Sequence, residues 1–236
     1  MMSVPKTGRI HLVLVGATGM VGGYTLRYAL KHPAVERVTA IGRRTLGISH
    51  TKLNEILHPN FGDCSDLAES LSYQDAAIFC LGAYTGAVSD PELRAITVDY
   101  TVEFARVLRR SSPDARFAFL SGQGADPTGK SRIAFARYKG EAKNALLSAE
   151  FRAVYIFRPA YIYPVKPRTE PNLGYRLLRA IYPVFRTLFP SHVIRADDLA
   201  RAMVDVTVQG TKERSASVFE NNDIRAMLER LQNVTG

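Results

Sequence analysis

The stretch from Arg9 to Gly23, RIHLVLVGATGMVGG, limits what this chain can fold into more than any other. Its apolar run, Ile10 to Val15, has the composition of a buried strand, and glycines follow at once at Gly16, Gly19 and Gly22. From Tyr24, with Leu26, Arg27, Ala29 and Leu30, the spacing reads as a helix. Strand, glycine turn and helix together form the context in which such spacing signals a dinucleotide site. Each glycine has its own reason. Gly16 allows a sharp exit from the strand, Gly19 lets backbone approach a pyrophosphate, and Gly22 lets the helix lie close to the sheet. The unpaired N–H groups of the helix's first turn, at its positive dipole end, then face the phosphates.

The same alternation continues downstream. Val35–Ile41, Leu53–Leu57, Ala76–Leu81, Ala115–Leu120 and Ala153–Phe157 read as strands. Between them, Ser65 or Asp66 can cap a short helix through Leu71, and Pro91 suits the first turn of a long one. That long helix carries an apolar stripe of Leu93, Ile96, Tyr100, Phe104 and Leu108. Another helix carries Phe135, Lys139, Ala142 and Leu146. Alternating strands and helices predict an α/β fold, a doubly wound parallel sheet of the NAD(P)-binding Rossmann type. The rhythm breaks after Pro164, so residues 1–165 are expected to form the cofactor domain. Residues 166–236 are expected to form a helical lid region packed on it. Within the latter, 173–189 is basic and amphipathic, split by Pro183; it suits a lid, a packing helix or contact with a membrane surface. A helix from Asp197-Asp198 to Val206, an edge strand near Val218 and a last helix over Ile224–Leu231 complete the reading.

The end of the second strand carries Gly42-Arg43-Arg44. Dinucleotide folds selective for NAD place an acidic residue there to hold the ribose hydroxyls. None is present, and Glu36 lies too early. Arg43 and Arg44 can instead hold a 2′-phosphate, which predicts NADP(H) in preference to NAD(H). The plain alternative is a pair of exposed arginines on a loop.

A formal charge of +9 raises the question of acidic partners. The basic residues are scattered, so a solvated surface is the better reading and no nucleic-acid partner is expected. Cys64 and Cys80 form no pairing or metal pattern, and the five histidines have no ligand spacing. The amino terminus lacks an apolar signal core, and no apolar stretch is long enough to span a bilayer. These features predict a cytoplasmic protein.

The ordered motifs GATGMVGG (Gly16 to Gly23), Gly62-Asp63, Cys80-Leu81-Gly82, SGQGAD (Ser121 to Asp126), KGEAK (Lys139 to Lys143) and FRPA (Phe157 to Ala160) resemble the short-chain dehydrogenase/reductase superfamily. Within its extended and atypical part, the set looks most like the Tat-interacting-protein branch of NAD(P)-binding proteins. IRADDLARAM, Ile194 to Met203, looks like a helix of the same superfamily. The resemblance implies that Gly16, Thr18, Gly19, Met20, Val21 and Gly22 hold the pyrophosphate, and Arg43 and Arg44 the ribose phosphate. It implies that Asp63 and the backbone of Cys64 meet the adenine, and that Leu81 and Gly82 line the cleft. Pro159 and Ala160 would face the nicotinamide carboxamide. Ser121 would bond a substrate carbonyl, and Lys139 the nicotinamide ribose.

The superfamily's chemistry also needs a tyrosine four residues before that lysine, on the same helix face. A neighbouring ammonium lowers the phenol's pKa so that it can exchange a proton with substrate. Phe135 stands there instead. Tyr138 is rotated away, since neighbouring helical residues point about 100° apart. Tyr161 and Tyr163 lie at a strand end, where α/β sites form. Three functions follow. The first is an NADP(H)-dependent oxidoreductase with an unusual acid, acting on an unidentified small molecule. The second is a cofactor-sensing regulatory protein with a protein partner. The third is a sugar-nucleotide epimerase or dehydratase, with Arg168, Arg176 or Arg186 as cationic contacts. Homo-oligomerisation is compatible with each.

Overall fold

A computed structural model describes residues 9–83, 86–165, 192–210 and 215–235, with backbone alone over 230–235. The amphipathic segment 173–189, and Arg168, Arg176 and Arg186, lie outside the described residues.

The first strand, β1 (Ile10–Val15), is followed by α1 (Met20–Lys31), β2 (Val35–Gly42) and β3 (Leu53–Leu57). The helix therefore starts four residues earlier than Tyr24, directly on the glycine turn. After a 3₁₀ turn (Ser65–Leu67) come β4 (Ala76–Phe79), α2 (Asp90–Arg94), a π-helical turn (Ala95–Asp99) and α3 (Tyr100–Ser111). The expected helix from Ser65 to Leu71 is thus a single tight turn. Ser89 caps α2 by accepting from the Glu92 N–H, and Pro91 sits within that first turn. The chain continues through β5 (Arg116–Leu120), α4 (Ala134–Ser148), β6 (Ala153–Arg158) and β7 (Tyr161–Tyr163). Beyond the undescribed stretch lie β8 (Val193–Arg195), α5 (Ala196–Gln209), β9 (Ser215–Glu220) and α6 (Asn221–Thr235).

Seven strands form one parallel sheet in the order β3-β2-β1-β4-β5-β6-β9. The order reverses between β1 and β4, and ligands bind at such switch points, beyond the carboxyl ends of the strands. Every residue of β1 except His11 is buried. That is the pattern of a strand covered on both faces. Leu12 and Leu14 face a core shared with α1 and α5, through Leu26, Leu30, Leu199 and Met203. Val13 and Val15 face the opposite core of Phe79, Phe104, Phe117, Phe119 and Leu146. Its rings pack edge to tilted, with Phe79 and Phe104 centroids 5.4 Å apart and Phe117 and Phe151 5.1 Å apart. Such pairs add about 0.5–1.5 kcal/mol each beyond their burial.

Strand β9, read as an edge strand near Val218, is the edge of the main sheet and pairs along its length with β6, a partner the sequence did not name. Strands β7 and β8 form a separate two-stranded parallel sheet, with Ile162 opposite Ile194.

Candidate nucleotide-binding cleft

The glycines act through backbone proximity. Gly16 has φ +88°, and a Cβ there would fall 2.8 Å from the Cys80 carbonyl carbon and the Leu81 nitrogen. No L side chain fits. At Gly22 a Cβ would stand 2.1 Å from the Gly16 carbonyl oxygen, so this glycine seats the first turn of α1 on the turn that precedes it. Gly19 caps the helix with no side-chain hydrogen bond, and the first turn holds no acidic residue. The first backbone bonds around it run from the Gly19 N–H to Gly16 O and from the Gly23 N–H to Gly19 O. The N–H groups of Met20, Val21 and Gly22 come ahead of the first helical bond, and all three residues line a cleft. This is the electrostatic form of an anion cradle.

The cradle opens into a cleft of about 1050 Å³. Thr18, Gly19, Met20, Val21 and Gly22 line one end. Leu81 and Gly82 line the middle, and Ser121, Phe135, Lys139, Pro159 and Ala160 the far wall. These residues come from the β1–α1, β4–α2 and β5–α4 connections, the short β6–β7 link and the helices α1 and α4, so one cavity unites positions far apart in sequence. Gly16 lies beneath the cradle. Arg43 and Arg44 are exposed beyond the end of β2. Asp63 and Cys64 also lie off the cleft wall, and both shape their own loop. Asp63 accepts from the Ser65 N–H, which holds its carboxyl below the usual range, while the Cys64 N–H donates to Glu103 Oε1 at 3.1 Å. Burial pushes the Cys64 thiol up to about 12.

Sequence reasoning missed several wall residues. Thr45, Leu46 and Ile48 follow the arginine pair and line the cleft, as do Tyr24 and Arg27 of α1. Cys80, Gln123, Ile162, Pro164 and Val165 line it too, together with Tyr161, which the sequence had marked at a strand end. The helical spacing of Met20, Tyr24 and Arg27 was the one signal that could have marked part of this wall.

Lys139 is 5% exposed, and its Nζ donates to the Leu120 carbonyl at 2.8 Å and lies 4.5 Å from the Phe119 ring centroid. Burial without a carboxylate partner lowers its pKa to about 8. The Cys80 thiol is pushed up to about 12 by burial, against the opposing pull of Thr25 and Lys139, so it stays protonated. The Ser121 hydroxyl is buried with no hydrogen-bond partner among the described residues. Such a group usually signals a missing ligand or water.

Phe135 occupies the position one helical turn before Lys139. Its para carbon would lie 3.0 Å from a Cβ on Gly122, the residue after Ser121. Tyr138 faces elsewhere and donates to Asp90 Oδ2 at 2.7 Å, outside the cleft. Tyr161 lines the cleft, whereas Tyr163 does not. No Asp, Glu or His lines the cleft among the described residues. Nor do these residues contain a cluster of three metal-ligating side chains.

Sheet order, glycine cradle and cleft define a nucleotide-binding Rossmann protein of the short-chain dehydrogenase/reductase type. Residues 12–137 match the NAD dependent epimerase/dehydratase family, and the chain belongs to that family. A relative from Emericella nidulans, "Protein fmp52, mitochondrial", is 28% identical over 68% of this chain and 70% of its own. The Saccharomyces cerevisiae protein FMP52, also named mitochondrial, is 24% identical over 93% of this chain and 98% of its own. Protein HTATIP2 from Rattus norvegicus is 24% identical over 67% of this chain and 65% of its own. Among solved structures, the Bordetella bronchiseptica enzyme WbmG in complex with NAD has a TM-score of 0.66 at 15% identity, covering 99% of this chain and 81% of that one. The UDP-N-acetylglucosamine 4-epimerase from Methanobrevibacter ruminantium scores 0.67 at 15% identity, over 97% and 83%.

The fungal relatives overturn the cytoplasmic expectation, because their names place them in mitochondria. Mitochondrial import reads basic amphipathic segments, a signal different from the apolar core of a secretory leader. No helix among the described residues is long and apolar enough to cross a membrane.

Proposed function

We propose that this chain is a mitochondrial NADP(H)-binding oxidoreductase of the atypical short-chain type. The observation that carries the reading is the meeting of an uncapped glycine cradle with a buried lysine and a buried, unpartnered serine hydroxyl in one cleft. A dinucleotide fits these features: the cradle takes its diphosphate, and Lys139 lies where a ribose hydroxyl accepts a bond. The bound cofactor would supply hydride chemistry. The protein's own residues do the rest. Thr18 and the N–H groups of Met20, Val21 and Gly22 orient the diphosphate, and Pro159 and Ala160 form the wall beside the carboxamide. Leu81 and Gly82 line the passage. Ser121 donates to the substrate carbonyl oxygen.

The preference for NADP(H) rests on Arg43 and Arg44, exposed at the end of β2 in a loop without a carboxylate for the ribose hydroxyls. Glu36, at the far end of β2, sits 3.9 Å from His11 and is unable to serve. Calorimetry on cofactor-stripped protein tests both levels. NADPH is expected to bind more tightly than NADH; absence of heat from either nucleotide refutes the reading, and equal affinity refutes the arginine assignment.

A further inference from the structure

Resting on the oxidoreductase reading, we propose that the acceptor is a flat conjugated carbonyl of the quinone type, not an isolated ketone or a sugar. Two independent features of the far wall point there. The first is the lack of an acid. Phe135 stands where a proton donor is needed, and Tyr138 is committed to Asp90. The Tyr161 oxygen is buried, and the described lining holds no carboxylate or imidazole. Hydride addition to an isolated carbonyl localises a full charge on one oxygen, whose conjugate acid is about as weak as water at ~15.7. An unassisted alkoxide against an apolar wall is costly. Reduction of a quinone instead leaves a phenolate-type oxygen, delocalised over a ring and titrating near ~10. Ser121 alone can hold such an oxygen.

The second feature is shape and polarity. The described wall beside Ser121 is mostly apolar: Phe135, Leu120, Ile162, Pro164 and Val165 can pack a flat ring, with Gln123 and Tyr161 the polar side chains among them. Reduced nicotinamide gives a hydride, two electrons and one proton, to the quinone and is oxidised. A second proton, drawn from water, completes the hydroquinone, so both C=O groups end as C–OH.

The test compares duroquinone, whose ring is fully methylated and cannot add the Cys80 thiol, with cyclohexane-1,4-dione, the saturated counterpart. NADPH oxidation is expected to be at least on the order of 10²-fold faster with duroquinone, the typical contribution of a general acid. Phe135→Tyr is expected to raise the dione rate and narrow that ratio by on the order of 10-fold or more. As a readout independent of turnover, duroquinone is expected to raise the melting temperature of the NADP⁺ complex, while the dione does not. If NADPH binds but the two acceptors react alike, or duroquinone fails to stabilise the complex, the acceptor assignment falls and cofactor binding stands. Loss of dione turnover in Tyr161→Phe would assign the proton to Tyr161 and overturn it as well. If NADPH itself does not bind, both readings fall together.

Discussion

Replacing Gly140 by alanine separates what the helix alone prefers from what its neighbour allows. In the interior of a helix, alanine is favoured over glycine by about 1 kcal/mol, so α4 by itself predicts a more stable protein. The tertiary structure predicts the reverse. A Cβ on Gly140 would fall 1.8 Å from the Asp126 carbonyl oxygen, 2.2 Å from its carbon and 2.8 Å from the Pro127 nitrogen. All three are backbone atoms, and non-bonded contact needs about 3.5 Å. The 126–127 segment must therefore retreat by more than 1 Å. That movement strains the bond from the Asp126 N–H to Ala136 O, at 2.8 Å, and the one from Asn144 Nδ2 to Pro127 O, at 2.8 Å. Two lost hydrogen bonds at about 1 kcal/mol each, with about 1–3 kcal/mol for overpacking, outweigh the helical gain. The net expectation is destabilisation by about 2–4 kcal/mol, or roughly 4–16 °C in melting temperature for a chain of this size. Gly23→Ala is the control, because its Cβ would sit at an ordinary 3.4 Å from Ala17 O. Urea and thermal unfolding followed by circular dichroism measure both. A Gly140→Ala protein as stable as the parent would refute the claim that close approach of the two backbones, and not helix propensity, governs this position.

Other perturbations probe the site. Gly22→Ala places a methyl 2.1 Å from Gly16 O and is expected to abolish NADPH binding in calorimetry; retained affinity would remove the cradle from the argument. Arg43→Ala with Arg44→Ala is expected to weaken NADPH on the order of 10–100-fold, from lost charge-assisted bonds of about 1.5–3 kcal/mol, and to leave NADH affinity nearly unchanged. Lys139 carries a pH signature. Its pKa is lowered from 10.5 in the unfolded chain to about 8 in the folded one, so between those values the unfolded state binds more protons. Stability then rises with pH across that window, by at most about 1.4 kcal/mol per unit. In denaturant titrations at a series of pH values, Lys139→Met is expected to lack that slope; an identical profile would show that the ammonium is not desolvated.

Much of the fold is local chemistry and could be read along the chain. The apolar run into Gly16, Gly19 and Gly22 specifies strand, turn and helix through local backbone geometry and orphan N–H groups, although the close approach of Gly16 to Cys80 and Leu81 belongs to the fold. The stripe from Leu93 to Leu108 and the phenylalanine one turn before Lys139 are legible for the same reason, because helical periodicity is carried by neighbours in sequence. What the tertiary structure decided depends on atoms brought together from afar. It alone pairs β7 with β8 and carries β9 onto β6, since short strands acquire partners only through long-range register. It alone sets the Lys139 ammonium against the Leu120 carbonyl in an apolar surround, because desolvation belongs to an environment and not to a residue. It also leaves Arg43 and Arg44 at the protein's rim while the next residues, Thr45 and Leu46, border the cleft. And it gives Gly140 its purpose, as the point where helix α4 and the Asp126 backbone come too close for any side chain.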